Sequence, residues 1–520
     1  MSRKLIKSTA VTGGMTFVSR LTGLARDMAF ANLIGAGTGI AADAFYVAFR
    51  IPNFFRRIFG EGAFSQAFVP VFTEYKTRAP HAELRAFVDR MTGVLGAILL
   101  LFTVAGVAAA PLFVLIQAPG FGGAKFALTV EILRITFPYL LFVSLVALAA
   151  GILNSYGRFA AAAFTPVLLN LCLIAAALWF APGLDQPVLA LAWGVFIAGV
   201  LQLAFQAPFL ARLKLLPRPK LARDHDGVAR VLRLMLPAIF GVSVAQINTM
   251  INTILASFLT NGSVSWLTYS DRIMEFPLGV FGIALATVIL PSLSHRHVNN
   301  SRAEFSHLLD WGLRWVFVIG IPATAALVIL AGPILTTLFH HGAFDARDVR
   351  MTTQALIAFA LGLPGFILIK VLAPGFYARQ DTRTPMRIGV IALLANIVLS
   401  LVLVFPLAHT GLALATSIAA LVNAGLLFRL LRRQQVYHPL PGWGLFLARV
   451  ALASAAMAAV LLWGVGGLEG WLAATVWERV VRLAFWVAAG ALVYLFTIVL
   501  LGVRPRQLLL RRGAGGRSYD

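Results

Sequence analysis

The chain has 520 residues, of which 60% are hydrophobic and only 12% are charged, and its formal net charge is +23. An ordinary soluble domain carries about twice that charged fraction, so the composition excludes a soluble globular protein. It indicates a helical protein that crosses a membrane many times. The single cysteine, Cys172, excludes an internal disulfide framework and a cysteine-rich metal site.

Long apolar runs recur from one end of the chain to the other and predict fourteen membrane-spanning helices. Clusters of Pro and Gly, such as Pro119-Gly120 and Pro182-Gly183, mark turns between them. The predicted fold class is therefore an all-α polytopic membrane protein. In chain order the spans cover roughly 8–34, 41–72, 87–117, 126–154, 160–181, 187–211, 231–259, 266–294, 308–339, 350–377, 386–406, 410–430, 444–465 and 479–502.

The positive charge is distributed unevenly between the two sides of this topology. Most of the 43 Lys and Arg lie near the termini and in alternate connections, whereas the opposite connections hold only Lys125, Arg347 and Arg350. The positive-inside rule places the basic side, with both termini, in the cytoplasm. Topology and attraction to anionic membrane lipids thus explain the net charge, and we expect no nucleic-acid partner.

Short sequence matches recur at an offset of 221–223 residues, as when Arg50-Ile51 corresponds to Arg272-Ile273. The offset relates spans 1–6 to spans 7–12 in the same orientation, which predicts two pseudo-symmetric six-helix lobes, a plan typical of transporters. Spans 13 and 14 lie outside the repeat. The predicted domains are an N-lobe (1–212), a cytoplasmic basic linker (213–229), a C-lobe (230–435), a C-terminal helix pair (436–503) and a cytoplasmic basic tail (504–520).

The second span carries a narrow stripe of charge. On an ideal helix of about 100° per residue, Asp43, Arg50, Arg57 and Glu61 fall within about 40° of one another. Such a stripe cannot face lipid, because an arginine at the bilayer centre costs at least about 2.5–3.5 kcal/mol. It forms either buried ion pairs between helices or a hydrated cationic cavity that accepts an anion, and we favour the cavity. Glu61 is either a salt-bridge partner of Arg57 or a protonation switch.

Further charges lie in the first span. Arg20 and Asp27 are seven residues apart and share a helix face, whereas Arg26 points elsewhere. They form either a structural Arg–Asp pair or a cavity wall of two arginines, one of them held by Asp27, and we favour the second interpretation. In the second span, Pro52 follows Arg50 closely and should kink the helix.

The C-terminal half carries a matching group of charges. In the eighth span Arg272 and Glu275 can pair as i,i+3 neighbours, and Asp271 precedes them. The repeat places Arg272 where Arg50 lies in the first half, so we expect both halves to supply a cation to one central cavity. Lys370, which precedes a Pro-Gly helix breaker, is a lesser candidate.

The charged residues suggest a ligand and exclude some activities. Guanidinium groups hold phosphate through two parallel hydrogen bonds and stay charged when dehydrated, so an arginine cluster suits a pyrophosphate head. The sequence has no P-loop, HExxH or GxSxG motif, so we predict neither enzyme activity nor a cofactor. The histidines at 295, 297, 340 and 341 lack further ligands at metal spacing, and no metal site is predicted.

Several segments together resemble the MurJ (MviN) family of lipid II flippases, and the resemblance extends over essentially the whole chain. The family belongs to the multidrug/oligosaccharidyl-lipid/polysaccharide exporter superfamily. The resemblance implies two six-helix lobes and two extra helices that form a groove for a polyprenyl tail. The segments that carry it are MTFVSRLTGLARD, ADAFYVAFRIPNFFRRIFGEGAFSQAFVPVFTEY, GSVSWLTYSDRIMEFPLGVFGIALATVILPSLS and KVLAPGFYARQDTRTP.

The resemblance also implies a function. The substrate would be lipid II, the undecaprenyl-pyrophosphate-linked peptidoglycan precursor, moved by alternating access from the cytoplasmic to the periplasmic leaflet of the bacterial inner membrane for cell wall synthesis. Peptidoglycan synthesis machinery would be a further partner. The implied substrate-binding residues are Arg20, Arg26, Asp43, Arg50, Arg56 and Arg272, with Arg50 where a relative has lysine, and the implied gate or ion-pair residues are Asp27, Glu61, Asp271 and Glu275. From the charge pattern we add Arg57 and Lys370 to the gate or ion-pair residues.

Other interpretations stay open on the same architecture. A cation-coupled multidrug antiporter needs an acidic cavity and usually lacks spans 13 and 14, so the arginine excess argues against it. A flippase for another polyprenyl-linked oligosaccharide is a second alternative. A structural scaffold without a transported substrate would tolerate exchange of the charges within each ion pair. Asn248, Asn252 and Asn396 have no acidic set around them, so we do not predict the sodium site of some family members.

Overall fold

The computed structural model describes residues 3–57, 62–221, 225–279, 289, 292–293 and 302–503. Regular structure in these ranges is helical, which confirms the all-α class, and we number the α-helices in chain order. They are α1 (Arg3–Ile34), α2 (Ala41–Phe55), α3 (Ala63–Arg78), α4 (His81–Ala108), α5 (Ala110–Gln117), α6 (Gly123–Thr136), α7 (Tyr139–Ser155), α8 (Phe159–Ala175), α9 (Pro187–Arg212), α10 (Asp226–Ser257), α11 (Ser263–Pro277), α12 (Arg302–Phe339), α13 (Ala346–Ala360), α14 (Leu363–Tyr377), α15 (Arg383–Arg433), α16 (Trp443–Val465), α17 (Leu468–Leu472) and α18 (Val476–Leu500).

Nine helical segments of the described chain are long and apolar enough to cross a membrane. Some predicted spans are interrupted: 87–117 is divided between α4 and α5 at Ala109, and Pro111 lies in the first turn of α5. Proline favours the start of a helix because its missing N–H has no intrahelical acceptor there. A polytopic membrane protein is confirmed, and the count of fourteen spans remains a prediction.

The charged second span contains two described helices, α2 and α3. Helix α2 ends at Phe55, three residues after Pro52, and α3 begins at Ala63. Residues 58–61 lie outside the described residues, and Glu61 is among them.

Helix α15 is 51 residues long and folds back on itself. Its backbone leaves the helical region at Ala408, where φ is 47° and ψ is −130°. A Cβ at Gly411 would lie only 2.2 Å from the carbonyl oxygen of Leu403, so the chain passes very close to itself at this turn. Arg379 Nη1, just before the helix, donates to Gln434 Oε1, just after it, at 2.8 Å. The two ends of α15 therefore meet.

The contacts divide the chain into two compact units, of which the first comprises 1–265 and 341–345. In this unit α1 packs on α8, α2 on α6, and α3 on both α7 and α10. Phe64, Phe68 and Phe72 are four residues apart on α3 and are fully buried, so their rings form one apolar stripe. The segment 341–345 joins the end of α1, where the backbone N–H of Ala343 donates to the carbonyl of Asn32 at 3.0 Å.

The second unit comprises 266–340 and 346–520 and is built around α12, which packs on α13, α14 and α16. Buried apolar residues of α16 and α18, among them Val450 and Leu461, form a core against α12. The carboxylate of Asp310 on α12 accepts hydrogen bonds from Tyr437 Oη, at 2.8 Å, and from Trp443 Nε1, at 2.7 Å. The C-terminal helix pair is thus fixed to α12 by both apolar and polar contacts.

Candidate functional site

Asp43 begins the polar stripe of α2, and its side chain is almost completely buried. One carboxylate oxygen accepts from Lys125 Nζ, at 2.8 Å, and from the backbone N–H of Gly262, at 2.9 Å. The other accepts from the backbone N–H and the hydroxyl of Ser265, at 2.9 and 2.7 Å. Four hydrogen bonds, one of them from an ammonium group, compensate the buried charge, and the position near the start of α11 adds the favourable helix dipole.

The ammonium group that faces Asp43 is itself buried. Lys125 also donates to Asn261 Oδ1 at 3.0 Å, and its Nζ lies 3.9 Å from the ring centre of Phe121. Asp43 and Lys125 therefore join α2, α6 and the connection between α10 and α11 in one polar cluster. We call these residues, together with Gly262 and Ser265, the Asp43 latch.

The arginines of the same stripe point toward α10. Arg50 donates to the hydroxyl of Thr253, and Arg57, just beyond α2, donates from Nη1 to Gln246 Oε1 at 3.2 Å. Arg57 lies seven residues after Arg50, whereas its partner Gln246 lies seven residues before Thr253, so the two segments run antiparallel here. We call this row of contacts the α2–α10 ladder.

Helix α10 supplies the polar side of the ladder. Gln246, Thr249, Thr253 and Ser257 follow one another at intervals of three or four residues and therefore share one helix face. Thr253 is fully buried, and its hydroxyl also donates to the carbonyl of Thr249 at 2.8 Å. This face was not predicted from the sequence, although the regular spacing of its polar residues in an apolar stretch is a signal that could have revealed it.

The charges of α1 are arranged around Arg26, which is 9% exposed. Asp27 Oδ1 accepts from Arg26 Nε, at 3.0 Å, and from Arg26 Nη2, at 2.6 Å, while Arg26 Nη1 donates to Asn170 Oδ1 on α8 at 3.0 Å. The prediction that Arg26 points away from Asp27 was wrong; it rested on the angle of about 100° between neighbouring residues on a helix. The long guanidinium side chain overcomes this angle. Arg20 is half-buried on the same helix.

The other predicted residues lie in several places. Arg56 is half-buried, and its Nε donates to Asn53 Oδ1 at 3.1 Å. In the second unit, Arg272 and Glu275 of α11 form the i,i+3 pair at 3.7 Å, beside half-buried Asp271. Lys370 is exposed on α14.

In the first unit the structure therefore directs Arg50 and Arg57 toward α10 and places Asp43 in the latch with Lys125. Arg26 bonds both to Asp27 and to Asn170 of α8. The guanidinium groups of the α2–α10 ladder offer several hydrogen-bond donors to an anion. Among the described residues, no three His, Cys, Asp or Glu side chains are grouped as a metal site would need.

Comparison with known proteins gives the family. Residues 30–481 match the family model described as "Lipid II flippase MurJ". A Vibrio cholerae protein named "Probable lipid II flippase MurJ" is 46% identical over 517 residues, which is 98% of this chain and 98% of the relative. The chain belongs to the lipid II flippase MurJ family. The resemblance seen in the sequence is thus confirmed.

Other members and more distant proteins agree with this assignment. A Burkholderia cenocepacia member named "Lipid II flippase MurJ" is 46% identical over 465 residues, covering 88% of this chain and 90% of the relative. A solved structure described as "Lipid II flippase MurJ, inward closed conformation" has a TM-score of 0.79 at 27% identity and covers 94% of this chain and 98% of its own. An inward-facing multidrug resistance MATE family transporter of the MOP superfamily, with a TM-score of 0.66 at 17% identity, covers 80% of this chain and 94% of its own and shares the fold.

Proposed function

We propose that this protein is a lipid II flippase, which moves the undecaprenyl-pyrophosphate-linked peptidoglycan precursor from the cytoplasmic to the periplasmic leaflet for cell wall synthesis. The observation that carries the proposal is membership of the flippase family over nearly the full length of the chain. The protein acts as a transporter and not as an enzyme, because it relocates its substrate without changing a covalent bond.

The head group is held by arginines in this proposal. Arg20 and Arg26 of α1, Arg50 and Arg56 of the second span and Arg272 of α11 bind the pyrophosphate. Asp43 belongs to the same proposed substrate-binding set, but as an anion it does not contact the phosphates. A guanidinium group keeps its charge in a partly dehydrated cavity and matches the geometry of phosphate oxygens, which supports arginine in this role. Arg57, Asp27, Asp271, Glu275, Glu61 and Lys370 act as ion-pair partners or gates.

Alternating access requires contacts that break and re-form, and the Asp43 latch is suited to this. It joins α2 and α6 to the connection that follows α10 entirely through hydrogen bonds and one ion pair. Water can replace such contacts when the cluster opens, whereas an apolar core would lose its burial free energy. In the proposed topology this cluster lies at the periplasmic end and holds that end closed while lipid II enters from the cytoplasm.

The topology is part of the same proposal. The protein lies in the bacterial inner membrane with fourteen spans and both termini in the cytoplasm, supported by the distribution of Lys and Arg. Residues 1–212 and 230–435 form the two lobes, 213–229 link them, 436–503 hold the polyprenyl tail and 504–520 form a basic tail. Peptidoglycan synthesis enzymes would receive the product on the periplasmic side.

A reconstituted assay tests this function. Purified protein in liposomes that contain lipid II should make the precursor accessible from the opposite leaflet, and Arg272→Ala should abolish this activity while the protein still folds and inserts. The matched control is Arg350→Ala. Arg350 is exposed to a similar degree, 50% against 46%, and it also pairs with a glutamate, Glu469. Normal flipping by Arg272→Ala would contradict the assigned site, and exchange of a cationic drug without lipid II transport would indicate the antiporter.

A further inference from the structure

The segment between α9 and α10 is attached to α4 through its backbone. We call residues 213–221 the basic strap. The strap bonds to Asp89 of α4, which is buried. The backbone N–H of Arg218 donates to Asp89 Oδ1 at 2.8 Å, and the backbone N–H of Lys220 donates to the main-chain carbonyl of Asp89 at 3.1 Å. These two backbone N–H groups therefore point toward α4 and away from the outer surface of the strap.

Two further contacts hold the strap in place. A Cβ at Gly93 would lie 2.2 Å from the carbonyl oxygen of Lys220, so only glycine permits this close approach between α4 and the strap. Leu215 is fully buried and anchors the beginning of the strap. The strap thus has one fixed path over α4, although it forms no regular helix.

The outward side of the strap combines positive charge with apolar surface. Lys214, Arg218 and Lys220 are exposed, as is Arg212 at the end of α9. Leu216 is 45% exposed and Leu221 is 80% exposed. Exposed leucines beside several cations suit the boundary between lipid head groups and acyl chains.

The position of the strap in the chain agrees with such a boundary. It connects α9, one of the helices that can cross a membrane, to α10. It crosses α4 at Asp89 and Gly93, where the charged first turns of α4 give way to an apolar run. Charges at the end of a membrane-crossing helix lie at head-group depth.

From these observations we propose that the basic strap is a docking surface for anionic phospholipid head groups. The four cations face the phosphates, and Leu216 and Leu221 enter the adjacent apolar layer. Each cation near an anionic surface raises membrane affinity about fivefold. Because Asp89 and Gly93 already fix the backbone, little conformational entropy is lost on binding. An acidic protein would satisfy the cations but would leave the two exposed leucines, which follow the membrane-crossing helix α9 in the chain, without an apolar environment.

A fluorescent probe at Leu221 tests this inference without reference to transport. Leu221→Cys in a Cys172→Ser background provides one labelling site for an environment-sensitive dye. The labelled protein is placed in nanodiscs of phosphatidylcholine with or without phosphatidylglycerol. We expect the emission to shift to the blue when phosphatidylglycerol is present, and the shift to decrease in high salt.

Two charge variants complete the design. Arg218→Gln/Lys220→Gln should reduce the phosphatidylglycerol affinity read at Leu221 by about twentyfold or more. Arg432→Gln/Arg433→Gln, which removes the same charge from exposed positions at the end of α15, should leave the probe response unchanged. Emission typical of water at every lipid composition, or equal responses of the two double variants, would overturn the proposal, as would a response only to an added acidic protein.

Discussion

Arg50 of α2 donates a hydrogen bond to the hydroxyl of Thr253 on α10, and that hydroxyl donates in turn to the carbonyl of Thr249. Thr253 is fully buried, so its hydroxyl orients a guanidinium group inside the protein. Because the Thr253 hydroxyl both accepts from Arg50 and donates to Thr249, it cannot rotate freely, and it therefore restricts the orientation of the Arg50 side chain. Thr253 is thus a positioning residue for one of the proposed head-group ligands.

Replacing Thr253 by Val should therefore weaken lipid II transport. The change keeps the shape of the side chain but removes the acceptor, and a hydrogen bond to a charged group contributes about 1.5–3 kcal/mol, so we expect a loss of about tenfold or more. Thr253→Ser should restore most of the activity. The control is Thr73→Val, because the exposed Thr73 hydroxyl donates only to the carbonyl of Val69 on its own helix among the contacts described. Equal activity of Thr253→Val and wild type would contradict a positioning role.

Removal of the Asp43 carboxylate should destabilise the protein strongly. In Asp43→Ala the buried Lys125 loses its ion-pair partner, and breaking a buried pair from one side costs about 3–5 kcal/mol. The measurement is thermal or denaturant unfolding of the purified protein in detergent. Glu469→Gln serves as the comparison, because it breaks the exposed pair with Arg350 and should cost less than about 1 kcal/mol. Similar losses in the two variants would show that the latch contributes little.

Exchange of the charges of Arg26 and Asp27 separates a structural role from a substrate role. In the double variant Arg26→Asp/Asp27→Arg the pair is retained with opposite polarity, so we expect the protein to insert and remain folded. Lipid II transport should be lost, because the guanidinium group has moved and a carboxylate replaces it. Retained transport in liposomes would indicate that the pair only holds α1 and α8 together.

The start of α10 should be sensitive to pH. His225 caps this helix, since its Nδ1 accepts the backbone N–H of Gly227 at 3.2 Å. Burial lowers the pKa of His225 below its ordinary value of 6.5, and Arg90 acts in the same direction, against Glu83 and Asp226. The rings of Tyr75 and Phe87 pack against the imidazole, with ring centres 5.6 and 5.7 Å from its centre.

The sign follows from the lowered pKa. The neutral form is favoured in the folded protein, so the stabilisation by His225 is fully present above pH 6.5 and is lost as the pH falls through the lower folded pKa. A protonated imidazole cannot accept from Gly227, and loss of a helix cap costs about 0.5–2 kcal/mol. Hydrogen exchange of the first turn of α10 should accelerate in this range. His225→Asn, which caps without titrating, should remove the pH dependence, and an unchanged profile would refute the assignment.

Much of the fold was accessible from the sequence, because apolar runs must be helical where the backbone has no water to bind. The hydropathy pattern did not predict the interruptions at Ala109 and between α6 and α7. Such breaks leave the apolar composition of the run unchanged, so an average over many residues cannot detect them. The i,i+3 pair of Arg272 and Glu275 was predicted correctly, since both partners belong to one helix.

The contacts between distant helices were harder to predict. The stripe from Asp43 to Arg57 was visible in the sequence, but its partners Thr253 and Gln246 depend on which helix lies opposite and in which register. Lys125 was noted only as an exception to the charge distribution, yet it compensates Asp43. The convergence of cations from both predicted lobes remains a prediction.

The meeting of Arg379 with Gln434 has a consequence for sidedness. A straight helix of the length of α15 would extend about 77 Å, more than twice the hydrocarbon thickness of about 30 Å. Since the chain reverses at Ala408, the connections on either side of this helix open to the same compartment. A reagent that cannot permeate the bilayer will therefore modify both connections or neither of them.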